Sequence, residues 1–305
     1  MLGPRYGLVQ ASGLSATHEE YREARDRARV LAFIQRGVDF EEPQRRFVDE
    51  VRRWESGVFT ADFTTPESLR DAVVRGLHDL ALAEQAGPVD EEEMLARGRR
   101  RVPRDRGHAS ASLTVVVAGA PRQQILRPAQ LESQELEALL SREALFGAQP
   151  IFDRSSGTRA SIRDEALVLE QDDRAMLLDE LGTVSVTQPP MRRDERGHLG
   201  LHVLIEEDIA ETIARGLRFA GSVLEEVDAR GRITDIVPVV ALRKNYLGWL
   251  TRAEYERNPN SVPMSHRDED VEVTLNPPRR PRSAIRLDAE TLAEDLTVLL
   301  RRRAR

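Results

Sequence analysis

The sequence predicts an α/β domain over residues 1–86, followed by a mostly antiparallel α+β domain over residues 111–305. Helical and strand patterns alternate in the first domain, which is typical of a parallel sheet wound by right-handed crossovers. In the second domain, strand patterns follow one another with few helices between them, which favours an antiparallel sheet. Residues 87–110 hold an acidic run and then a basic run with few apolar side chains, so we expect a solvated linker there.

The first helix and strand follow a loop with a glycine at each end, residues 3–7 (GPRYG). Ser15 or Thr17 caps a helix that extends to about Ala28, because both hydroxyls precede a polar segment with apolar residues at helical spacing. Residues 30–34 are continuously apolar, as expected for a strand that is covered on both faces of the sheet.

A second helix, a second strand and a third helix complete the first domain. Pro43 predicts the first turn of the second helix, which ends at Gly57. Residues 58–63 have the alternation of a strand, and Thr65 begins the third helix. The predicted buried stripe of this third helix consists of Leu69, Val73, Leu77 and Leu80.

The predicted parallel sheet is incomplete. Two strands are fewer than a sheet needs to stand alone. Only Met1 and Leu2 precede the glycine-flanked loop, although a loop of this kind normally follows a strand. We expect that further strands are encoded before Met1, or that the domain is degenerate. Its sheet edges then need a cover, from self-association, a partner protein or the second domain.

The second domain begins with a β-branched strand at residues 113–118, and Pro128 begins a helix that carries Leu131, Leu136, Leu139 and Leu140. An antiparallel meander is predicted from three strand patterns at residues 166–170, 175–178 and 183–187. The remaining patterns are a long helix at residues 202–228, strands at 233–242 and 271–275, and a closing helix at 287–303.

The composition predicts a soluble, cytoplasmic protein. Charged residues make up 32% of the chain and aromatic residues 5%. The absence of cysteine excludes disulfides and thiolate metal sites. The net charge of −7 argues against a general nucleic-acid binder, and we interpret the arginine runs at 99–104, 279–282 and 301–305 as solvated tails. Neither a signal peptide nor a membrane-spanning apolar run is present, so no membrane partner is expected.

Several short segments carry a resemblance to a known family. They are the loop at residues 3–7 (GPRYG), residues 15–21 (SATHEEY), residues 33–35 (FIQ), the helix start around Pro43 and Phe47, and Trp54 with Gly57. Together these segments, within residues 1–86, resemble an uncharacterised domain found at the N-termini of bacterial STAND NTPases and some animal NACHT proteins. That domain is regarded as a relative of TIR domains and nucleoside deoxyribosyltransferases. The resemblance implies an incomplete flavodoxin-like or TIR-like parallel sheet.

The resemblance also implies a site. In the enzymatic relatives a glutamate acts on an N-glycosidic bond, and Glu20 matches it by position. A carboxylate suits this chemistry because it can trap or stabilise the oxocarbenium ion that forms at the ribosyl carbon. Ser15 and Thr17 would orient Glu20 or hold a ribose hydroxyl. Arg5 would meet a phosphate, and Tyr6 would stack on a base.

Glu20 has a structural alternative. Thr17 and Glu20 fit a capping box, in which the glutamate returns a hydrogen bond to the residue that caps the helix. If Ser15 caps the helix instead, Glu20 is free to face a ligand.

Two functions from different classes follow. The first is an enzyme that acts on NAD, or a sensor of NAD or a related nucleotide, in stress or anti-phage signalling, with Glu20 as the catalytic residue and no resident cofactor. The second is a non-catalytic module, in which the first domain is an assembly surface, as a homo-oligomer or with a partner protein, and the second domain binds a ligand or partner.

Three weaker motifs have structural alternatives that we favour. His198, His202 and Glu206 have the spacing of zinc ligands, but glycines interrupt that helix. The acidic residues 206–208 are better explained as favourable charge at a helix N-terminus. Lys244, Tyr246, Trp249 and Arg252 resemble the rim of a ligand site, but aromatic residues at a strand-to-helix transition more often lie in the core. No metal site is therefore predicted.

Overall fold

The structure is a computed structural model that describes residues 1–25, 30–52, 59–85, 89–103, 111–190, 203–229, 231–243, 248–258 and 270–304. The chain divides into two compact units, Met1–Gly87 and Pro88–Arg305. No helix among these residues is long and apolar enough to cross a membrane.

The first unit has the predicted alternation of helices and strands. Its elements are α1 (Ala16–Ala24), β1 (Leu31–Gln35), α2 (Glu42–Arg52), β2 (Phe59–Phe63) and α3 (Pro66–Gln85). Strands β1 and β2 pair in parallel along their whole length, with Leu31 opposite Phe59 and Gln35 opposite Phe63. This small parallel sheet confirms the predicted arrangement of the first domain. Gly57, the predicted end of the second helix, lies outside the described residues.

Leu2 extends the sheet on the other side of β1. It forms a parallel bridge with Ile34. The amide of Leu2 donates to the carbonyl of Phe33 at 2.7 Å, and the amide of Gln35 donates to the carbonyl of Leu2 at 2.9 Å. The residue before the glycine-flanked loop therefore occupies a strand position, and the loop leaves the sheet at the carboxyl end of its strands.

The predicted buried stripe of α3 is wrong at Leu77, which is 54% exposed. Leu69, Val73 and Leu80 are only half-buried, and Val74 is 62% exposed. Helix α3 packs on β1 and β2. A sheet of two strands and one bridge is too narrow to cover the apolar side of a 20-residue helix, so part of that side faces outward.

The second unit is built on a long antiparallel sheet. Its strands are β3 (Ser112–Ala120), β4 (Arg159–Arg163), β5 (Ala166–Gln171), β6 (Arg174–Asp179), β7 (Val184–Gln188), β8 (Val203–Ile205), β9 (Asp235–Arg243), β10 (Gly248–Leu250), β11 (Val271–Thr274) and β12 (Arg280–Pro281). The main sheet has the order β11-β9-β3-β7-β6-β5-β4, and β12 also pairs with β9. All of these pairings are antiparallel, whereas β8 and β10 form a separate parallel pair.

Helices cover both faces of the central strands. They are α4 (Glu91–Arg100), α5 (Pro128–Leu131), α6 (Gln134–Phe146), α7 (Glu206–Val227), α8 (Arg252–Arg257), α9 (Ala284–Leu287) and α10 (Ala289–Ala304). Val115 and Val117 of β3 belong to the large core that α7 and α10 share. Val116, from the opposite face of β3, packs with Met94 of α4. Since side chains alternate across a strand, covering both faces accounts for the continuous apolar run of β3.

The predicted solvated linker at residues 87–110 is wrong for Glu91–Arg100, which form helix α4. Asp90 caps this helix by accepting a hydrogen bond from the amide of Glu93 at 3.0 Å. The acidic run lies in the first turn and the basic run in the last turn, where each opposes the partial charge of the helix end. The acidic run followed by a basic run, from which a solvated segment is predicted, is therefore the charge pattern of a helix. A narrow stripe of this helix around Met94 is buried.

Two other predicted helices differ from the structure. The helix predicted from Pro128 is divided into α5 and α6, because the Ser133 hydroxyl accepts a hydrogen bond from the amide of Leu136 at 3.2 Å and starts a new helix. In the long helix predicted at residues 202–228, residues Val203–Ile205 form strand β8 instead, and α7 begins at Glu206.

Candidate functional site

The candidate site is the loop that joins Leu2 to α1. Its first residues are fixed to the start of α2 by three hydrogen bonds. The Gln44 side-chain amide donates to the carbonyl of Gly3 at 2.8 Å. The amide of Glu41 donates to the carbonyl of Pro4 at 2.9 Å, and the amide of Tyr6 donates to the Glu41 carboxylate at 2.9 Å. These bonds satisfy backbone groups of the loop and hold it in one position.

A chain of side-chain hydrogen bonds continues from Tyr6 through the buried His18 to Glu50 and to Arg22, which is about half exposed. The Tyr6 hydroxyl lies 2.7 Å from Nδ1 of His18, and Nε2 of His18 lies 2.9 Å from the Glu50 carboxylate. Arg22 donates to both oxygens of Glu50, at 3.0 and 2.9 Å. We call Tyr6, His18, Arg22 and Glu50 the anchoring network. It joins the loop to α1, which carries His18 and Arg22, and to α2, which carries Glu50.

Aromatic packing surrounds this network. The His18 ring stacks on Phe47 with centroids 4.0 Å apart, and the rings of Tyr6 and Tyr21 meet Phe47 edge-on. Tyr6 and His18 are both buried. A buried polar chain of this kind is stabilising only while each member keeps its partner.

The Glu50 carboxylate carries the negative charge of the network. Hydrogen bonding from Arg22 lowers the pKa of Glu50 below its usual range, and His18 adds to this effect, although burial opposes it. The same pairing raises the pKa of Arg22. An ionised Glu50 accepts a hydrogen bond from Nε2 of His18, which leaves Nδ1 as the acceptor for the Tyr6 hydroxyl. The partners thus assign the tautomer of His18.

Ser15 caps α1. Its hydroxyl accepts a hydrogen bond from the amide of His18 at 3.4 Å, and its side chain is buried. Thr17 lies inside the helix and is exposed. The alternative in which Thr17 and Glu20 form a capping box is therefore wrong. The Glu20 side chain is exposed, and its carboxylate has no part in the cap.

The predicted ligand residues do not form one group. Tyr6 is 9% exposed and its hydroxyl is bonded to His18, so its ring packs inside the unit, and its stacking on a base stays a prediction. Ser15 is also occupied, by the helix amide. Arg5, Thr17 and Glu20 are on the surface. The structure brings Tyr6 and Ser15 together through His18, inside the unit rather than at a ligand-binding face.

The prediction from sequence missed the other members of the network. His18 and Arg22 are four residues apart, so they share one face of α1. Glu50 follows Phe47 by three residues, which places both on one face of α2. These spacings were visible in the sequence, but nothing in the sequence indicates that the two faces meet.

A second carboxylate near the strand ends is already neutralised. Asp62 of β2 lies 2.6 Å from Arg36 and 3.2 Å from Arg52. Hydrogen bonding to Asp62 raises the pKa of Arg36. Asp62 is thus paired with two guanidinium groups, and Glu20 is a better candidate for acting on a ligand.

The weaker motifs of the second unit have structural roles where the structure describes them. Glu206 pairs with Arg301 at 2.7 Å, and Glu207 accepts from the amide of Arg252 at 2.8 Å. Trp249 is buried in the large core. His198, His202, Lys244 and Tyr246 lie outside the described residues. Within the described ranges, no group of three potential metal ligands occurs.

One comparison with known families gives a match, and it lies within the first unit. Residues 1–78 match the model of a domain of unknown function, DUF4062. This match covers about a quarter of the 305-residue chain. No curated protein and no solved structure matches the sequence. The chain therefore begins with a domain similar to this uncharacterised family, and the relationship to TIR domains remains a prediction.

Proposed function

We propose that the first unit is a non-catalytic module that senses a nucleotide-like ligand and serves in assembly, with a nucleotide site that is degenerate relative to its enzymatic relatives. The observation that carries this proposal is the burial of Tyr6 and Ser15. Two of the four residues expected to hold the substrate instead hold the loop and cap α1. The enzyme implied by the resemblance would have both groups at its ligand.

The ligand-binding surface consists of exposed residues around the loop. Arg5 offers a guanidinium that suits a phosphate, and Thr17 and Glu20 offer groups that suit ribose hydroxyls. NAD or a related nucleotide has both features. Because the anchoring network ties the loop to α1 and α2, a ligand bound at Arg5 stabilises both helices as well as the loop.

The assembly surface is the exposed side of α3. Val74 and Leu77 are more than half exposed and lie one turn apart. Apolar side chains that are exposed next to each other often mark a contact surface, whereas a single exposed apolar side chain usually does not. A second copy of the chain or a partner protein would cover them.

Binding of NAD and of deoxynucleosides to the full chain tests the sensor. We expect saturable binding by calorimetry, weakened by Arg5→Gln, with no release of nicotinamide or free base. Arg75→Gln on the exposed side of α3 is the control and should leave binding unchanged. Turnover by the wild type that disappears in Glu20→Ala would contradict the non-catalytic proposal.

Sedimentation tests the assembly surface separately. The double variant Val74→Gln with Leu77→Gln should lower the average mass of the chain in solution, because it removes apolar area without changing charge. Arg46→Gln, on the exposed side of α2, serves as the control. A monomeric wild type with no partner-dependent change in mass would contradict an assembly role.

The second candidate is the enzyme, and one observation favours it. Ser15 caps α1, which leaves the Glu20 carboxylate exposed and without a capping role. In this candidate Glu20 stabilises the oxocarbenium ion at the ribosyl carbon while the base leaves, and water then adds at that carbon. Loss of activity in Glu20→Gln with unchanged ligand affinity would support it, since the amide keeps the size but not the charge.

A further inference from the structure

The second unit contains a cleft lined by guanidinium groups, separate from the ligand site proposed in the first unit. Its volume is about 820 Å³, within the range of small-molecule sites. Its walls are the C-terminal half of α4, the turn between β4 and β5, and side chains of β5 and β6. The arginines that line it are Arg97, Arg100, Arg101, Arg122 and Arg163.

Two of these arginines have carboxylate partners of their own. Arg101 pairs with Asp179 at 3.0 Å, and Arg163 donates to Glu170 at 3.1 Å. These four residues are neutralised in pairs, so they contribute little net charge to the cleft.

Two of the other three arginines, Arg97 and Arg122, lie near the same carboxylate, Glu93. Glu93 lies 3.4 Å from Arg97 and 3.8 Å from Arg122. The contact seen for Arg100 is with the carbonyl of Ala96 in its own helix, at 3.4 Å. Asp164 and Glu165 also line the cleft, so its lining holds five arginines and four carboxylates, and the surplus positive charge lies on the wall formed by Arg97, Arg100 and Arg122.

Arg97 is the strongest indication that the surplus serves a ligand. Its side chain is 5% exposed. One terminal nitrogen, Nη2, donates to the carbonyl of Gly119. The other, Nη1, is buried without a hydrogen-bond partner among the described residues. Burial lowers the pKa of Arg97, and the carboxylates of Glu93 and Asp179 only partly oppose that effect. An unpartnered buried guanidinium nitrogen is costly, and a bound anion would satisfy it.

A role in helix stability alone does not account for Arg97. Arginines in the last turn of a helix are favourable because they face the partial negative charge of its end. This benefit accounts for the sequence positions of Arg97 and Arg100. It does not account for the burial of Arg97, since the same benefit is available to an exposed side chain.

We propose that this cleft binds a phosphate-bearing small molecule of nucleotide size. The phosphate contacts Arg97, Arg100 and Arg122, whose guanidinium groups donate in the planar pairs that suit phosphate oxygens. Val168 and Leu177 line the cleft from the sheet and offer apolar contact to the uncharged part of the ligand. Asp164 and Glu165, in the turn between β4 and β5, can accept hydrogen bonds from ligand hydroxyl or amino groups.

Calorimetric titration of the full chain with inorganic pyrophosphate and with ADP tests the proposal. We expect saturable binding of both probes and tighter binding of ADP. Arg100→Gln should weaken both by about tenfold, the loss expected for one charge-assisted hydrogen bond. Because Arg100 is exposed, this variant should fold normally. Glu93→Gln should bind both probes several-fold more tightly, since it removes the carboxylate that competes with phosphate.

Two control variants determine whether the bound probe occupies this cleft. Arg99→Gln removes a guanidinium from the same helix, but Arg99 pairs with Glu272 and does not line the cleft. Arg5→Gln removes the contact proposed for the first unit. Both controls should bind pyrophosphate like the wild type. Absence of saturable binding, equal weakening by Arg99→Gln and Arg100→Gln, or tight binding of DNA alone would overturn the proposal.

Discussion

At the scale of single residues, two tyrosines in one aromatic cluster differ in whether the hydroxyl has a hydrogen-bond partner. The rings of Tyr6 and Tyr21 both meet Phe47 edge-on, and both are buried. The Tyr6 hydroxyl is bonded to His18, whereas the Tyr21 hydroxyl has no hydrogen-bond partner among the residues that the structure describes. The pair therefore allows a bonded and an unbonded buried hydroxyl to be compared in one cluster.

Tyr6→Phe should destabilise the first unit by about 1–2 kcal/mol, because it leaves a buried nitrogen of His18 without a partner. Tyr21→Phe should be neutral or slightly stabilising, because it removes an unpaired buried hydroxyl. Amide hydrogen exchange of α1 in the full chain measures both changes. Equal effects of the two substitutions would show that the anchoring network contributes nothing specific.

The ionised state of Glu50 predicts a dependence on pH. Arg22 and His18 lower its pKa in the folded protein below the ordinary value of 4.5. A carboxyl group with a lowered folded pKa contributes stability that is present above its unfolded pKa and is lost as the pH falls through the folded pKa. Above pH 4.5, titration of Glu50 should therefore leave the stability difference between the wild type and Glu50→Gln unchanged. Below pH 4.5 this difference should shrink. Urea unfolding at several pH values measures the difference. A difference that persists unchanged as the pH falls to about 2 would contradict the assignment.

At the scale of elements, the cap of α1 is a testable choice between two hydroxyls. Ser15→Ala should lower the stability of α1 by about 1 kcal/mol, because the His18 amide loses its acceptor. Thr17→Ala should have almost no effect, since Thr17 is exposed within the helix. Exchange rates of the amides in residues 16–24 distinguish the two. A larger effect from Thr17→Ala would restore the capping box and return Glu20 to a structural role.

Helix α4 approaches the sheet closely at Gly98. A Cβ atom at this position would lie 3.1 Å from a methyl group of Val239 in β9 and 3.6 Å from the Cβ of Ala118 in β3. Glycine inside a helix costs about 1 kcal/mol relative to alanine, so close packing is the reason for its presence. The glycine sets the distance between α4 and the sheet, and with it the position of Arg97.

Gly98→Leu should therefore destabilise the second unit by about 2 kcal/mol through overpacking, and it should also weaken pyrophosphate binding. Gly98→Ala should be nearly neutral, because better helix propensity offsets a small shift of Val239. Ala96→Leu, on the exposed side of the same helix, is the matched control. Thermal unfolding measures all three variants. A neutral Gly98→Leu would show that α4 is not held against the sheet.

At the scale of the whole molecule, the sequence predicts the order of elements better than their contacts. The two parallel strands of the first unit and the meander of β5, β6 and β7 could be predicted from the sequence. Their apolar residues form short runs of the length and pattern that strands have. Helix α4 could not be recognised in this way, since its buried stripe is only Met94 and its close neighbours, within two charged runs. The anchoring network was hidden for another reason. His18 and Glu50 are 32 residues apart, and only the packing of α1 against α2 joins them.

Residues 88–110 were predicted to be a linker, but they contain helix α4, so removing them should lower the stability of the second unit. A fragment of residues 88–305 keeps α4 over Val116, Val237 and Val239, whereas a fragment of residues 111–305 leaves these side chains uncovered. Burying a valine is worth about 1.5–3 kcal/mol, so the shorter fragment should lose on the order of 5 kcal/mol.

Thermal unfolding of the two fragments measures this loss. We expect a cooperative transition for residues 88–305, and a lower, broader transition with binding of a hydrophobic dye for residues 111–305. A fragment of residues 1–87 mixed with the shorter fragment is the control for effects of the first unit, and it should restore nothing. Equal melting temperatures for the two fragments would mean that residues 88–110 act as a linker after all. In that case α4 would not form a wall of the arginine cleft, and the proposal that the cleft binds a phosphate-bearing molecule would be contradicted.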